Sequence, residues 1–321
     1  MEEYMKIRKL SAVLLMMASI LLSVAYAETE GDWTYTLSAE GAVIMGYTGT
    51  DKEIQTPKVL GGKPVIAIGE AAFEKVETIR RIVVSEGVER IEKDAFTSAH
   101  IEEIILPETL KSIGSSALWA TRIKNIVIPD GVVEIGDQAL KWSDIRSVAL
   151  PKGIEKIPGH MFSLCEYLSD VSIPDNVKII DQLAFYGCKM LTEIELPEGV
   201  EKISFEAFEK CSALERIVIP ASVTQIDATA FRDCQKLVAY VYEDSYAHRW
   251  CIDNHVSYVL IGVPGQKPEG VLPEAAPDKA EPDRSVLNNL PKTGDSGYFS
   301  FWFAAFVFAA LAGCMLKRRT V

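Results

Sequence analysis

Apolar residues in the middle of the chain recur with a period of 22–23 residues. Pro107, Pro129, Pro151, Pro174, Pro197 and Pro220 mark the repeat, each after an apolar residue and before a turn-like segment such as Pro129-Asp130-Gly131. A large apolar residue keeps step at Phe73, Phe96, Leu118, Leu140, Phe162, Phe185, Phe208 and Phe231, usually after Ala. One unit reads Leu191-x-x-Ile194-x-Leu196-Pro197-x-x-Val200-x-x-Ile203-x-x-x-Ala207-Phe208-x-x-Cys211. Its Leu-x-x-Ile-x-Leu segment alternates as a strand does, apolar side inward. A unit this short carries too few apolar side chains to bury a core alone, but stacked on its neighbours it makes a continuous one. The pattern predicts a β-rich solenoid of eight or nine coils over residues 55–262, with a parallel sheet on one face.

Both ends of the array lose the pattern, as terminal coils must if they are to meet water. Trp33, Tyr35 and Leu37, followed by Ala42 to Tyr47, predict a β-hairpin cap within residues 28–54. After Leu237 the Ile-Pro step is missing, and Ser245–Asn254 predicts a short helix closed by a strand running through Tyr258.

The order Ile-Pro, Val-x-x-Ile, Ala-Phe, Cys resembles the BspA-like leucine-rich-repeat family, over about residues 55–259. The resemblance implies a repeat solenoid with closing elements at its C-terminal end and adhesion-type roles. It names no ligand.

Outside the array the composition changes. Residues 1–27 read as a secretory signal. Lys6, Arg8 and Lys9 precede an apolar stretch from Leu10 to about Val24, and Ala25 and Ala27 supply the small residues of a cleavage site before Glu28. Residues 263–289 hold five prolines among Glu, Asp, Lys and Ala and no aromatic residue after Pro264, the composition of an extended spacer. Residues 290–321 begin Leu290-Pro291-Lys292-Thr293-Gly294, continue with mostly apolar residues from Tyr298 to Leu316, and end in Lys317-Arg318-Arg319. The apolar run is long enough as a helix to cross a hydrocarbon core of about 30 Å, with the cations held on the cytoplasmic side.

Pentapeptide, span and basic tail together resemble the sorting signal of Gram-positive cell-wall proteins. The resemblance implies a sortase as processing partner, cleavage at Thr293–Gly294, and covalent attachment to peptidoglycan through the Thr293 carboxyl. Similar tetrapeptide starts at Leu106, Leu196 and Leu272 lack the Thr-Gly pair and a following span. The chain is thus expected at the surface of a Gram-positive bacterium, membrane-held before sorting.

Charge narrows the partners. The formal net charge is −12, and loss of 1–27 (net +1) and 294–321 (net +2) takes it to −15. Such a chain is not an electrostatic partner for nucleic acid. Six cysteines are too few for a disulfide scaffold of this size. Cys165, Cys188, Cys211 and Cys234 fall 23 apart and stack in one column with Val76, Ala99, Thr121 and Ser143, a small-residue slot for buried thiols. A ladder of thiols does not converge on a metal, and His100, His160, His248 and His255 have no ligand spacing. Phosphate-loop, zinc-protease and calcium-loop motifs do not occur. The expectation is a protein without enzymatic activity, cofactor or metal.

Two surfaces remain as candidates. Outward positions on the strands read Val83, Ile105, Val127, Ala149, Ser172, Glu195 and Val218, flanked by Arg81, Glu103, Asn125, Ser147, Asp170, Glu193 and Arg216. A partly apolar stripe between polar groups suits a protein interface, although Val and Ile also fit strands that bind nothing. Just after the Phe column, Trp119, Trp142, Leu164 and Tyr186 form an aromatic patch able to stack on sugars, or one that fills gaps between unequal coils. The first surface implies an adhesin-like protein that binds an unknown extracellular partner. The second implies a glycan-binding or carbohydrate-processing module. A wall component with no specific partner is a third reading.

Overall fold

In a computed structural model that describes residues 27–262, the repeats wind into a solenoid of about ten turns. The chain opens with an antiparallel meander of β1 (Glu28–Glu30), β2 (Trp33–Leu37) and β3 (Ala42–Tyr47). It reverses at Gly61 and Gly62, both at positive φ, between β5 (Val59–Leu60) and β6 (Lys63–Ile68). The pairing of β3 with β6 is parallel and hands the meander on to the coils.

Each coil contributes one strand to a front ladder: β4 (Glu53–Gln55), β7 (Arg81–Val83), β9 (Glu103–Ile105), β11 (Asn125–Val127), β13 (Ser147–Ala149), β15 (Asp170–Ser172), β17 (Glu193–Glu195), β19 (Arg216–Ile219), β21 (Val238–Val241) and β22 (Ser257–Leu260). Hydrogen bonding joins them in three parallel groups, β4–β7–β9, β11–β13–β15 and β17–β19–β21–β22.

The parallel sheet expected on one face is this front ladder, and a second, side ladder accompanies it. The Val-x-x-Ile part of each unit forms a two-residue strand: β8 (Arg90–Ile91), β10 (Ser112–Ile113) and β12 (Glu134–Ile135) continue from β6. A separate group follows, β14 (Lys156–Ile157), β16 (Ile179–Ile180), β18 (Lys202–Ile203) and β20 (Gln225–Ile226). The break between β12 and β14 has a covalent cause. Elsewhere the residue after the ladder isoleucine donates its N–H to the previous coil, Gly136 to Ile113 O at 2.8 Å and Asp181 to Ile157 O at 3.1 Å. Pro158 holds that position opposite Ile135 and has no N–H to give.

Turns around the Phe column make the third side. The residues two before and two after the column residue adopt positive φ in most coils, as at His160 (56°) and Leu164 (62°) around Phe162. This left-handed conformation costs a non-glycine residue about 1–2 kcal/mol. It also turns alternate N–H groups toward the following coil: His160, Phe162 and Leu164 donate to the carbonyls of Gln182, Ala184 and Tyr186 at 2.9, 2.8 and 2.6 Å. The residues between them bond within their own turn, as Ser163 N does to His160 O at 3.0 Å.

The core runs along the axis of the stack. Phe162, Phe185, Phe208 and Phe231 stack face to face, with centroids 5.3, 5.0 and 5.3 Å apart. Trp33 closes the N-terminal end of the column edge-on against Phe73 at 6.4 Å, and Trp250 closes the other end against Phe231 at 5.7 Å. Trp250 lies on α1 (Tyr246–Asp253), whose N-cap Ser245 accepts a hydrogen bond from the His248 backbone N–H. The α1 residues Ala247, Trp250 and Cys251 are buried on the last coils. Among the described residues no helix is long and apolar enough to cross a membrane, and the apolar run from Tyr298 to Leu316 lies outside them. The expected spacer and sorting residues, among them Leu290 to Gly294, and the expected signal residues apart from Ala27, among them Ala25, also lie outside the described residues.

Candidate functional site

The front ladder presents one outward side chain per strand between two inward ones. Val83, Ile105 and Val127 are each half-buried in successive strands, whereas Ile82, Ile104 and Ile126 point into the core. The flanking positions are not independent groups, because the parallel register sets like positions side by side. Arg81 Nε donates to Glu103 Oε2 at 3.0 Å, Ser147 Oγ donates to Asn125 Oδ1 at 2.9 Å, and Arg216 Nη1 lies 3.5 Å from Glu193 Oε2. The Arg216 guanidinium also covers the Tyr240 ring at 5.0 Å. Asp170 is half-buried in its column, and Glu193 and Glu195 are exposed.

Val218 departs from this pattern. Its side chain is only 5% exposed, packed with Tyr242 and Ile261 and against Ala221, Tyr240 and Val259. The last two strands carry Tyr240 and Val259 in register with it. Tyr242 stands where earlier coils have proline, and its hydroxyl donates to Glu198 Oε1 at 3.3 Å. The expected contact residue Val218 therefore belongs to the C-terminal cap, and the free part of the stripe is Val83, Ile105 and Val127.

The aromatic patch resolves into two groups. Trp119 and Trp142 meet with centroids 6.0 Å apart; Trp142 is 55% exposed and Trp119 half-buried. They occupy different columns, since Trp119 directly follows Leu118 whereas Trp142 is the positive-φ residue two after Leu140. Tyr186 lies two coils beyond Trp142 and is engaged elsewhere. Its hydroxyl accepts from Lys210 Nζ at 2.6 Å, and the same ammonium stands 4.8 Å from the ring centroid.

In the column of thiols Cys165, Cys188 and Cys211 are buried and Cys234 is half-buried, and all four are free. Each thiol donates to the carbonyl of the preceding coil's column residue: Cys165 to Leu140 at 3.0 Å, Cys188 to Phe162 at 3.3 Å, Cys211 to Phe185 at 3.1 Å and Cys234 to Phe208 at 3.0 Å. Burial raises the Cys165 and Cys251 thiols to about 11 and lifts Cys188 and Cys211 as well. They are neutral packing groups, poor as nucleophiles. Among the described residues no cluster of three or more His, Cys, Asp and Glu could hold a metal.

The profile of the BspA-type leucine-rich-repeat region matches six copies, over residues 54–169 and 155–246, more than half of the chain. The chain belongs to the BspA-type leucine-rich-repeat family. No curated protein matches it. Solved structures similar to it include a leucine-rich-repeat protein from Bacteroides ovatus (21% identity, 74% of this chain and 76% of that one, TM-score 0.47). Others are the leucine-rich-repeat protein of T. pallidum (19%, 73% and 98%, TM-score 0.46) and the pneumococcal vaccine antigen PcpA (14%, 76% and 100%, TM-score 0.29).

Within this BspA-type array one polar cluster had no sequence signal. Glu209 follows Phe208, and its side chain is 3% exposed. Arg232 Nη2 donates to its Oε2 at 2.6 Å and also to Glu206, while Lys210 Nζ lies 3.3 Å from its Oε1. Burial by itself raises the Glu209 carboxyl, but the hydrogen bonds from Arg232 and Lys210 outweigh it and hold the group below its ordinary value. Arg232 and Lys210 are ordinary surface residues in the sequence, and only the one-coil offset of Arg232 brings it onto Glu209.

Proposed function

We infer that this BspA-type chain is a non-enzymatic, adhesin-like surface protein whose front ladder binds an extracellular protein. One observation carries the reading. Val83, Ile105 and Val127 form a part-exposed apolar stripe on rigid strands, and the polar groups around it are already oriented by pairs such as Arg81–Glu103 and Asn125–Ser147. An interface of this kind buries apolar area without first having to order loops. Display is supported by the leader-like residues 1–27 and by Leu290-Pro291-Lys292-Thr293-Gly294 with its apolar run and basic tail, the order of a sorting signal that would join Thr293 to peptidoglycan.

The test is binding of the purified chain to immobilised extracellular-matrix and epithelial-surface proteins. Saturable binding that weakens about tenfold or more on Val127→Glu, with the circular dichroism unchanged, supports the reading, since a charge placed in a buried interface core costs over 1 kcal/mol. Binding equal in wild type and Val127→Glu would remove the front ladder as the site.

A further inference from the structure

A cleft of about 240 Å³ opens on the outer face of the side ladder, lined by Asp181, Gln182, Lys202, Ile203, Ser204, Phe205, Gln225 and Asp227. It exists because one column changes size from coil to coil. The residue after the ladder isoleucine is Asp181, then Ser204, then Asp227, so a small side chain sits between two long carboxylates. The neighbouring column reads Lys93, Ser115, Asp137, Gly159, Gln182, Phe205 and Ala228, and a single aromatic ring interrupts its polar and small residues. That ring, Phe205, is 45% exposed at the cleft.

Two further observations point to a ligand. Ser204 lines the cleft and is 7% exposed, and its Oγ is buried with no hydrogen-bond partner. A buried hydroxyl left unpaired is disfavoured, and turning it outward about the Cα–Cβ bond would let an incoming polar group supply what it lacks. Among the described residues the amides of Gln182 and Gln225 and the ammonium of Lys202 also have no side-chain partner, so their hydrogen-bonding capacity is open to the cleft. Asp181 and Asp227 are partly engaged, Asp181 with Lys156 Nζ at 3.8 Å and Asp227 with the Thr229 hydroxyl at 2.6 Å.

The lining groups decide the class of ligand. The lining holds two carboxylates and the Lys202 ammonium, and Lys156 at 3.8 Å from Asp181 adds a second cation, so the cleft is close to neutral and its charge selects neither an anion nor a metal cation. What fits is a neutral molecule rich in hydroxyl groups, with donors for the carboxylates, acceptors for Lys202 and both for the two amides. Phe205 adds an apolar surface on which the C–H face of a sugar ring can rest. We propose that this cleft binds one pyranose unit of a glycan. The site stands apart from the front ladder and from the Trp119–Trp142 pair, so it holds or fails independently of the protein-binding reading.

Saturation-transfer-difference NMR on the purified chain tests it, with the methyl glycosides of glucose, galactose, mannose and N-acetylglucosamine as probes. The expected result is saturable transfer to the ring protons of at least one glycoside at millimolar concentration. It should weaken about tenfold in Phe205→Ala, the order of one lost aromatic contact, and also fall in Gln225→Ala, while Trp142→Ala binds as wild type. Both cleft residues are on the surface, so the fold should survive their loss; Gln182→Ala serves if either variant misfolds. Absence of transfer from all four glycosides, transfer that survives Phe205→Ala, or transfer lost in Trp142→Ala would overturn the proposal.

Discussion

The Cys188 thiol donates to the Phe162 carbonyl oxygen at 3.3 Å, and the same oxygen accepts the Cys165 backbone N–H at 3.0 Å. One buried carbonyl is thus shared between its own turn and the thiol of the next coil. Because burial holds these thiols above their ordinary value, they remain protonated and shielded near neutral pH. At pH 8 the folded chain should leave Cys165, Cys188, Cys211 and Cys251 unmodified by iodoacetamide under conditions that alkylate them fully in guanidinium. Peptide mass spectrometry reads the difference, and rapid labelling of Cys188 in the folded chain would contradict the column.

Phe185 is fully buried and stacks on Phe162 at 5.3 Å and on Phe208 at 5.0 Å. Phe185→Ala opens a cavity in the middle of the stack, with an expected loss of about 3–5 kcal/mol in denaturant unfolding. A loss under 1 kcal/mol would mean that the coils do not depend on the aromatic column.

Gly187 holds the turn position two after Phe185 at φ 71°, where an added Cβ would come within 3.0 Å of Leu164 Cδ2. Gly187→Ala should therefore destabilise by about 1–2 kcal/mol, mainly through the left-handed backbone, and urea unfolding measures it.

The Glu209 carboxyl is held below its ordinary value when folded, so its stabilisation is complete above the unfolded value. It is lost as pH falls through the lower folded one. Arg232→Gln removes the strongest donor and leaves the carboxylate buried with Lys210 alone. The variant should unfold more easily than wild type at pH 7, and the gap should narrow below about pH 4 as the carboxyl protonates. A gap that does not change between pH 7 and pH 3 would show that Arg232 acts through packing alone.

Thr293→Ala tests surface attachment in a Gram-positive host that carries a sortase. A muralytic enzyme should release the wild-type chain from cell walls, while the variant stays with the membrane fraction. Equal release of both would refute covalent attachment at Thr293.

Much of the architecture is legible in the spacing of Phe and Pro, because every coil repeats the same burial and the period survives substitutions such as Leu118 for Phe. The side ladder is not legible as strands because two residues are too few to show alternation. Its trace was the recurrent Val-x-x-Ile, visible as apolar spacing but not as a strand. The left-handed turns were hidden for another reason. Trp142 and Leu164 have no preference for positive φ; bonds to the next coil impose it. The loss of Val218 to the cap could not be read from its own unit, since the residues covering it, Tyr242 and Ile261, come from segments where the period has ended. The Ser204 cleft comes from the contrast between neighbouring coils, which a consensus averages away.

Front-ladder partners such as Val127 and Ala149, or Ile194 and Ile217, are only 22 or 23 residues apart along the chain. Closing each coil therefore costs a similar and modest loop entropy, and no pairing of the front ladder between neighbouring coils has to wait for a distant segment. Folding can advance as a zipper, each finished coil serving as the template for the next. A chain delivered with its N-terminus first would meet the β2–β3 meander as its starting template and would seal the stack last, when Trp250 of α1 closes over Phe231.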